Sequence, residues 1–299
     1  MLAESKPHRG QRLRADLALL AVAIVWGSAF VVCRLAAAQT GSFLYNGARF
    51  LLGVVTLLPF VGARLRGLAR VEAWGGVLAG VLLFVASGLQ QMGLQFTTAG
   101  KAGFITGLYV VLVPLFLALV WRQWPRGSTW AASLLAAVGL YLLSAVEQLA
   151  LAPGDGLELV GAVFWALHVI LIGRLAQRVD VLRLALMQYL VCGLLSLTTG
   201  LLFESSTAPG LVSAWWAILY TGVLSVGLGY TLQVIGQQHA PAADASVILS
   251  GEAVFAALAG WLILDERLTP WQLLGCALML AGMLLAQAST WRAGDRGRA

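Results

Sequence analysis

Long apolar stretches separated by short polar connections recur along the whole chain. A hydrocarbon core about 30 Å thick is crossed by roughly 20 apolar residues in a helix, and ten stretches approach that length. The predicted spans are residues 17–38, 43–62, 73–96, 102–121, 129–146, 157–173, 184–203, 212–236, 245–264 and 271–289. The pattern therefore predicts an all-α polytopic membrane protein of ten transmembrane helices.

The composition suits a lipid environment. Of the 299 residues, 60% are hydrophobic and only 11% are charged, too few to cover a soluble globule of this size. Glycine (34) and tryptophan (11) are abundant, as in bundles whose small residues let helices approach closely and whose indole rings lie at the headgroups. Cys33, Cys192 and Cys276 lie in apolar stretches without metal-ligand spacing. We expect packing roles for these cysteines, with no metal and no cofactor.

The basic residues mark one side of the membrane. The net charge of +6 does not indicate nucleic acid binding, because the cations are scattered and form no patch. With a cytoplasmic N-terminus, 15 of the 19 cations fall in cytoplasmic segments: Lys6, Arg9, Arg12, Arg14, Arg64, Arg66, Arg70, Arg122, Arg126, Arg174, Arg178, Arg183, Arg292, Arg296 and Arg298. The opposite side receives Lys101, Arg267 and the acidic connection from Glu147 to Glu158. The positive-inside rule thus predicts a multi-pass protein with both termini in the cytoplasm. We expect it in a bacterial inner membrane.

A shift of 143 residues aligns the two halves of the chain. The aligned pairs include Leu89 with Leu232, Gln90 with Gln233, Gly93 with Gly236, Gln95 with Gln238, Ala99 with Ala242, and Ala102 with Ala245. Each half holds five spans, and because five is odd the second half must enter the membrane from the opposite side. We predict two inverted five-helix repeats, residues 1–150 and 151–299, that together form one membrane domain.

Two stretches carry a resemblance to a known family. They are Gln95-Phe96-Thr97-Thr98-Ala99-Gly100-Lys101-Ala102-Gly103-Phe104-Ile105-Thr106 in the first half, and Gly251-Glu252-Ala253-Val254-Phe255-Ala256-Ala257 with Asp265-Glu266-Arg267-Leu268-Thr269-Pro270 in the second. The chain resembles the EamA-type, ten-helix branch of the drug/metabolite transporter superfamily, and it is similar to amino-acid exporters of the YddG type. The resemblance implies export or exchange of amino acids, related metabolites or drugs through a cavity between the halves. Ala253 departs from the family pattern, which often has proline after the glutamate.

Glu252 and Lys101 are charged residues that need an explanation. Glu252 lies about eight residues into the ninth predicted span, where a lone carboxylate is costly unless it is paired, protonated or wetted by a cavity. It is a candidate for binding a substrate amine or a proton, with the capping of a neighbouring helix as the structural alternative. Lys101 and Asp244 are equivalent under the 143-residue shift. Asp244 suits a helix N-cap, whereas Lys101 is a candidate for binding a substrate carboxylate.

Arg49 and His168 lie inside predicted spans. Arg49 is one turn into the second span, where it either reaches outward or pairs with a buried acceptor, and it is also a candidate substrate ligand. His168 follows Trp165 by three residues in the sixth span and titrates near neutrality. It is either a binding residue or a hydrogen-bonded packing histidine.

Amides and aromatic rings complete the predicted substrate site. They are Gln90, Gln91, Gln233, Trp26, Tyr109, Trp165 and Tyr230. Rings supply apolar area and amides supply orientation in such a cavity, while packing or lipid contact is the alternative for any one ring. The small multidrug exporters of the same superfamily use a glutamate in their first helix, and the predicted first span has no carboxylate. This absence argues against simple proton–drug exchange of that kind.

The sequence predicts a secondary transporter rather than an enzyme. It contains no HExxH, no GxSxG and no paired intramembrane aspartates. We predict export or facilitated passage of small metabolites, foremost amino acids including aromatic ones, by alternating access between the repeats. Efflux of drugs or organic cations is the alternative, and a membrane protein without transport activity is a more distant one. The expected partners are a small-molecule substrate and the lipid bilayer, without nucleic acid, and the oligomeric state stays open, a monomer being compatible.

Overall fold

The computed structural model describes residues 9–62, 69–97, 99–144, 152–204, 208–264 and 267–295. All regular secondary structure in these ranges is helical. The elements are α1 (Arg9–Ala37), α2 (Ser42–Val61), α3 (Arg70–Gly93), α4 (Ala99–Gly107), α5 (Tyr109–Leu119), α6 (Gly127–Ser144), α7 (Pro153–Leu175), α8 (Val181–Phe203), α9 (Ala208–Ser213), α10 (Trp215–Tyr220), a π-helical segment (Thr221–Tyr230), α11 (Thr231–Gln237), α12 (Ala242–Leu249), α13 (Glu252–Leu264) and α14 (Pro270–Asp295). Several residues used in the sequence argument lie outside the described residues: Lys6, Arg64, Arg66, Thr98, Glu147, Asp265, Glu266, Arg296 and Arg298.

The described helices supply ten apolar segments. Nine are long and apolar enough to cross a membrane, and a shorter apolar stretch of α6 supplies the tenth. Three of the spans are composite: α4 continues as α5, α10 continues through the π-helical segment into α11, and α12 continues as α13. The prediction of an all-α protein with ten transmembrane segments is confirmed.

The predicted span limits match the helices to within a few residues, except at the first and last helices. α1 begins at Arg9 rather than near residue 17, so the first span contains Asp16, which is buried. The expectation of a first span without a carboxylate is therefore wrong. The polar start of α1 can enter the bundle because Arg12 Nε lies 2.9 Å from Asp16 Oδ1, so each charge is buried with a partner.

Close contacts between α6 and α14 show that the two halves are inverted. A methyl group added at Gly139 would lie 2.6 Å from the Gly275 carbonyl oxygen, and one added at Gly275 would lie 2.6 Å from that of Gly139. Seven residues away, one added at Gly282 would lie 2.8 Å from the Ala132 carbonyl oxygen. Residues with higher numbers in α6 contact residues with lower numbers in α14, so these helices are antiparallel. They are the fifth spans of the two repeats, and the repeats therefore run in opposite directions.

The second spans of the two repeats, α2 and α8, pack in the same way. Gly200 of α8 faces Leu44 of α2, and Gly193 faces Leu51, again with one chain rising as the other falls. Other contacts are exchanged between the halves: α3 packs against α7, and the equivalent eighth span packs against α1. A pseudo-two-fold axis in the membrane plane relates the two repeats.

Two ion pairs occupy positions related by this axis, with their charges exchanged. Arg12 Nη2 lies 3.2 Å from Asp244 Oδ2, and Lys101 Nζ lies 2.5 Å from Asp155 Oδ2. The 143-residue shift converts Arg12 into Asp155 and Lys101 into Asp244. We call the end of the bundle with Arg12 and Asp244 the N-terminal face, and the end with Lys101 and Asp155 the far face. One of these two ion pairs lies at each face, and both are buried or partly buried.

A threonine hydroxyl supports each aspartate. Thr129 Oγ1 donates to Asp244 Oδ1 at 3.1 Å on the N-terminal face, and Thr97 Oγ1 donates to Asp155 Oδ1 at 2.8 Å on the far face. Both aspartates are buried. Each ion pair therefore ties several helices together: α1, α12 and α6 at one face, and α4, α7 and the end of α3 at the other.

Candidate functional site

A cavity lies between the two repeats, about midway along the spans. It is bounded by α1, α2, α3, α4, α5 and α7, by the π-helical segment, and by α11 and α13. The lining residues are Trp26, Ala29, Phe30, Cys33, Arg49, Gln90, Leu94, Thr106, Tyr109, Trp165, Val169, Ser225, Tyr230, Gln233 and Glu252. Both repeats therefore contribute polar and aromatic side chains to one space.

The pseudo-two-fold axis passes through this cavity. Gln90 and Gln233 are equivalent under the 143-residue shift, and so are Tyr109 and Glu252. The Tyr109 hydroxyl donates to Glu252 Oε1 at 3.2 Å. Equivalent positions of the two repeats thus touch each other directly, so the cavity lies where the two halves meet.

Glu252 lies midway along the ninth span, where α12 ends and α13 begins. Its side chain is at the N-terminus of α13, a position that favours negative charge. Only 3% of the residue is exposed. Within the described part of the chain, no arginine or lysine forms an ion pair with it. The Glu252 carboxylate is therefore a buried acceptor whose hydrogen bond to Tyr109 leaves capacity for a cationic ligand group.

Arg49 is a buried cation held by neutral groups. Its Nε donates to Asn46 Oδ1 at 2.9 Å, and its Nη1 lies 3.5 Å from Cys33 Sγ. The guanidinium also lies over the rings of Tyr45, at 5.4 Å, and Phe50, at 5.0 Å. No carboxylate of the described residues pairs with it, although only 4% of the residue is exposed. A buried charge without a counterion is costly, so the cavity is prepared for an anionic group beside Arg49.

Two further lining side chains have polar atoms without partners. Gln233 is fully buried, and neither its amide oxygen nor its amide nitrogen has a hydrogen bond. The indole nitrogen of Trp165 is likewise buried without an acceptor. Buried polar atoms are nearly always hydrogen-bonded in native proteins. These exceptions therefore point to a ligand that both donates and accepts hydrogen bonds.

Aromatic rings form the apolar wall of the cavity. The ring centroids of Trp26 and Tyr230 are 4.6 Å apart, and Trp165 stacks on Tyr230 at 6.1 Å. The Trp26 indole donates to the carbonyl oxygen of Ser225 in the π-helical segment at 3.2 Å. Gly229 makes this approach possible, because a methyl group there would lie 2.7 Å from the indole nitrogen. π-Helical turns often occur at functional sites, and here the segment delivers two lining residues.

The cavity is narrow in this arrangement. The space open to the centres of water molecules is about 40 Å³, which is room for a few waters. A metabolite therefore needs a wider cavity than this one. The ion pairs at both faces are formed, which agrees with a closed arrangement.

Eight of the eleven sequence-predicted site residues line the cavity, and three do not. The eight are Trp26, Arg49, Gln90, Tyr109, Trp165, Tyr230, Gln233 and Glu252. Gln91 instead donates from its Nε2 to the Cys33 carbonyl oxygen at 3.0 Å. Lys101 instead pairs with Asp155 at the far face. His168 is fully buried behind the ring wall, where its Nε2 lies 2.8 Å from Gln188 Oε1. The expected placement in the substrate site is therefore corrected for Lys101 and His168. Lys101 pairs with Asp155 of the second repeat, and the His168 ring packs edge-on against Trp165 and Tyr230.

Sequence reasoning missed several lining residues, of which Thr106 has the clearest role. Its hydroxyl accepts from Gln90 Nε2 at 3.3 Å and donates to Glu158 Oε2 at 2.9 Å. Thr106 precedes Tyr109 by three residues and so faces the same side of the fourth span. That spacing was the available signal. Ser225, Phe30 and Cys33 carry no comparable signal in an apolar sequence.

The family follows from a comparison of the whole chain with known proteins. The model of the EamA-like transporter family matches residues 13–145 and again residues 152–287. The chain belongs to the EamA-like transporter family. The two matches are the two repeats, and the predicted boundary between residues 150 and 151 lies outside the described residues.

Similar proteins from bacteria and an archaeon support this membership. An uncharacterized transporter of Archaeoglobus fulgidus is 33% identical over 92% of this chain and 86% of its own length. The uncharacterized transporter YoaV of Bacillus subtilis is 22% identical over 91% and 96%, and YvbV of the same organism is 26% identical over 93% of each chain. A crystal structure with 22% identity superimposes with a TM-score of 0.79 over 93% of this chain and 98% of that one, which shows the same fold. This EamA-family member is a multi-pass membrane transporter of small molecules.

Proposed function

We propose that the protein transports zwitterionic metabolites, specifically amino acids with apolar or aromatic side chains, by alternating access between its inverted repeats. The observation that carries the proposal is the presence of Arg49 and Glu252 in one buried cavity without an ion pair between them. Two opposite charges that line one cavity without pairing suit a ligand that carries both a negative and a positive group.

The lining groups match the parts of an amino acid. The guanidinium of Arg49 suits a carboxylate, because its planar fork binds two oxygens at once. The indole of Trp165 and the amide of Gln233 supply additional partners for the same polar end. Glu252 suits the ammonium group, and the rings of Trp26 and Tyr230 suit an apolar side chain.

Phosphorylated substrates fit this cavity poorly. A phosphate dianion is bound by several converging basic groups, whereas Arg49 is the only arginine or lysine among the lining residues. Glu252 would repel the dianion. Sugar phosphates are therefore disfavoured as substrates.

Organic cations are the second candidate. Glu252 together with Trp26, Trp165 and Tyr230 resembles the acidic, aromatic surroundings that bind quaternary ammonium groups. The buried Arg49 argues against them, because a ligand without a carboxylate would leave its charge unpaired.

We further propose an inner-membrane location in which the N-terminal face is cytoplasmic. The described cations of that face outnumber those of the far face, which agrees with the positive-inside rule. Reporter fusions at Gln148 and Pro241 are expected to report the outside and the inside, respectively. Both reporters in one compartment would contradict this orientation.

Counterflow in proteoliposomes tests the proposed substrate class. Vesicles are preloaded with an unlabelled neutral amino acid, and entry of the labelled compound is compared with entry of a sugar phosphate and a quaternary ammonium dye into equivalently preloaded vesicles. We expect only the amino acid to exchange. If the dye alone exchanges, the organic-cation alternative replaces the amino-acid proposal.

A further inference from the structure

A second buried carboxylate, Glu158, lies beside the cavity without lining it. It is on α7, about one and a half turns from the start of that helix, and it is fully buried. Its Oε2 accepts from the Thr106 hydroxyl at 2.9 Å, and its Oε1 has no hydrogen-bond partner. A methyl group added to Gly93 of α3 would lie 2.7 Å from this free oxygen. The side chain is thus enclosed between α3, α4 and α7.

Within the described part of the chain, no cation is paired with Glu158. On its own helix the nearest acid is Asp155, one turn earlier, and the ammonium of Lys101 on α4 engages Asp155. Tyr109 of α5 is hydrogen-bonded to Glu252. α11 carries no titratable residue. None of the described arginines and lysines forms an ion pair with Glu158.

The other charged groups on packed helices are engaged at the N-terminal face. Glu72 near the start of α3 pairs with Arg183 at 2.9 Å. Asp244 on α12 pairs with Arg12 at 3.2 Å. Arg70 and Arg174 also lie at that end of α3 and α7. Because these groups lie at the opposite end of the bundle, none of them compensates a negative charge on the buried carboxyl of Glu158.

An ionised carboxylate in such surroundings is strongly disfavoured, whereas a neutral carboxylic acid is tolerated. We propose that Glu158 is the proton-binding site of the transport cycle, holding a proton while both faces are closed and releasing it to water when the far face opens. The carboxylic acid releases H⁺ to water at the far face, and the carboxylate takes up H⁺ from water that enters the cavity when the N-terminal face opens, so that one proton crosses the membrane in each cycle. This inference rests on the proposed transport activity and identifies H⁺ as the ion that is coupled to it.

A short chain of hydrogen bonds connects this site to the cavity. Gln90 donates to the Thr106 hydroxyl, which donates to Glu158. Gln90 and Thr106 both line the cavity. A substrate that hydrogen-bonds to Gln90 therefore shifts the Thr106 hydroxyl, which donates to Glu158. Toward the far face, Asp155 follows on the same side of α7, and its partner Lys101 has 17% of its side chain exposed. The proton therefore has a route to the far face that does not pass through Glu252.

Lumenal pH measurements in proteoliposomes test this assignment. A pH-sensitive dye is trapped inside, a neutral amino acid is added outside, and the pH change is recorded together with counterflow of the labelled amino acid. In the unaltered protein we expect a substrate-dependent pH change and at least about ten-fold faster uptake with an imposed pH gradient. Glu158→Gln should abolish the pH change and the gradient effect while counterflow stays within about two-fold, because exchange does not require proton release.

The matched variant is Glu158→Asp, which keeps a titratable group at the same site. We expect it to retain the substrate-dependent pH change but with a shifted dependence on external pH. A Glu158→Gln protein that still couples substrate to protons would overturn the proposal, as would net substrate uptake by the unaltered protein without any proton movement. If Glu158→Gln does not fold, an unshifted pH dependence in Glu158→Asp would overturn it instead. Absence of counterflow in the unaltered protein would contradict the proposed transport activity rather than this assignment.

Discussion

The two repeats keep the same packing but carry different charges at matched positions. Gly139 of α6 and Gly275 of α14 approach each other's carbonyl oxygens, and α3 packs against α7 as the equivalent eighth span packs against α1. The 143-residue shift places Cys192 in the second repeat where the first has Arg49. Duplication therefore preserved the helix contacts, while divergence gave a cation to one repeat only.

The opposite divergence occurred at the centre of the cavity. The first repeat has Tyr109 where the second has Glu252, and the two side chains are hydrogen-bonded to each other. The first repeat therefore supplies the positive charge of the cavity, Arg49, which we call the positive pole, and the second supplies the negative charge, Glu252, which we call the negative pole. Because the two charges differ, the nearly symmetric cavity would bind an amino acid in one orientation only.

Loss of the positive pole is expected to have the largest effect. Arg49→Gln should lower transport by roughly 100-fold, because a buried arginine–carboxylate interaction is worth several kcal/mol. Arg49→Lys should recover only part of the activity, since an ammonium lacks the planar fork. Counterflow rates at saturating and limiting substrate measure both variants. Near-normal transport by Arg49→Gln would show that this charge has a structural role only.

Loss of the negative pole is expected to have a somewhat smaller effect. Glu252→Gln keeps the shape and the bond to Tyr109, and it should lower transport by roughly ten- to 100-fold without changing thermal stability by more than a few degrees. Tyr109→Phe is the matched control, which removes the hydroxyl and leaves the carboxylate. We expect it to reduce transport only a few-fold. A fully active and stable Glu252→Gln protein would remove this residue from the mechanism.

The sequence predicted this architecture well because its signals are local or periodic. Apolar stretches located ten spans, and the 143-residue shift located the inverted repeat. The shift also equated Lys101 with Asp244, but it did not reveal that the acid facing Lys101 is Asp155. Partners on different helices follow from three-dimensional packing, which no single-sequence pattern contains.

The site was partly predictable for a related reason. Glu252 and Arg49 stand out because charge is rare within spans. Their separation could not be read from the sequence, and neither could the burial of Glu158, which is both the last residue of the acidic connection and the second residue of the predicted sixth span. α7 begins at Pro153 rather than near residue 157, so Glu158 lies about one and a half turns inside this helix.

The two charge-exchanged ion pairs extend the comparison to the faces of the molecule. Lys101→Ala should favour opening of the far face, and Arg12→Ala should favour opening of the N-terminal face, because each removes an ion pair that joins helices at that face in this structure. Cys33 lines the cavity and is a native reporter. In a background in which the buried Cys192 and Cys276 are replaced by alanine, we expect Lys101→Ala to accelerate labelling of Cys33 by a membrane-impermeant maleimide from the far face, on the order of five-fold.

Under the same conditions, Arg12→Ala should slow that labelling. Equal labelling in both variants would mean that the ion pairs do not control access to the cavity. Restored labelling behaviour in a protein with Lys101 and Asp155 exchanged would confirm that the pair itself, rather than either side chain alone, is responsible.

The smallest effect on transport is expected at His168, which supports the ring wall from behind. His168→Leu should lower the free energy of unfolding by about 1–3 kcal/mol, because Gln188 loses its buried partner. The substrate concentration for half-maximal transport should change less than about two-fold. Thermal unfolding in detergent and counterflow measure the two effects. A change of ten-fold or more in apparent affinity with unaltered stability would place His168 in the binding site after all.

The central claim is that Arg49 binds the carboxylate and Glu252 binds the ammonium group of the same substrate molecule. Competition against counterflow of labelled phenylalanine tests it most directly, with phenylethylamine lacking the carboxylate and 3-phenylpropionate lacking the amine. The unaltered protein should bind phenylalanine at least about ten-fold more tightly than either analogue. Arg49→Gln should no longer distinguish phenylalanine from phenylethylamine, and Glu252→Gln should no longer distinguish it from 3-phenylpropionate. Equal competition by phenylalanine and phenylethylamine in the unaltered protein would contradict the claim and indicate an exporter of organic cations.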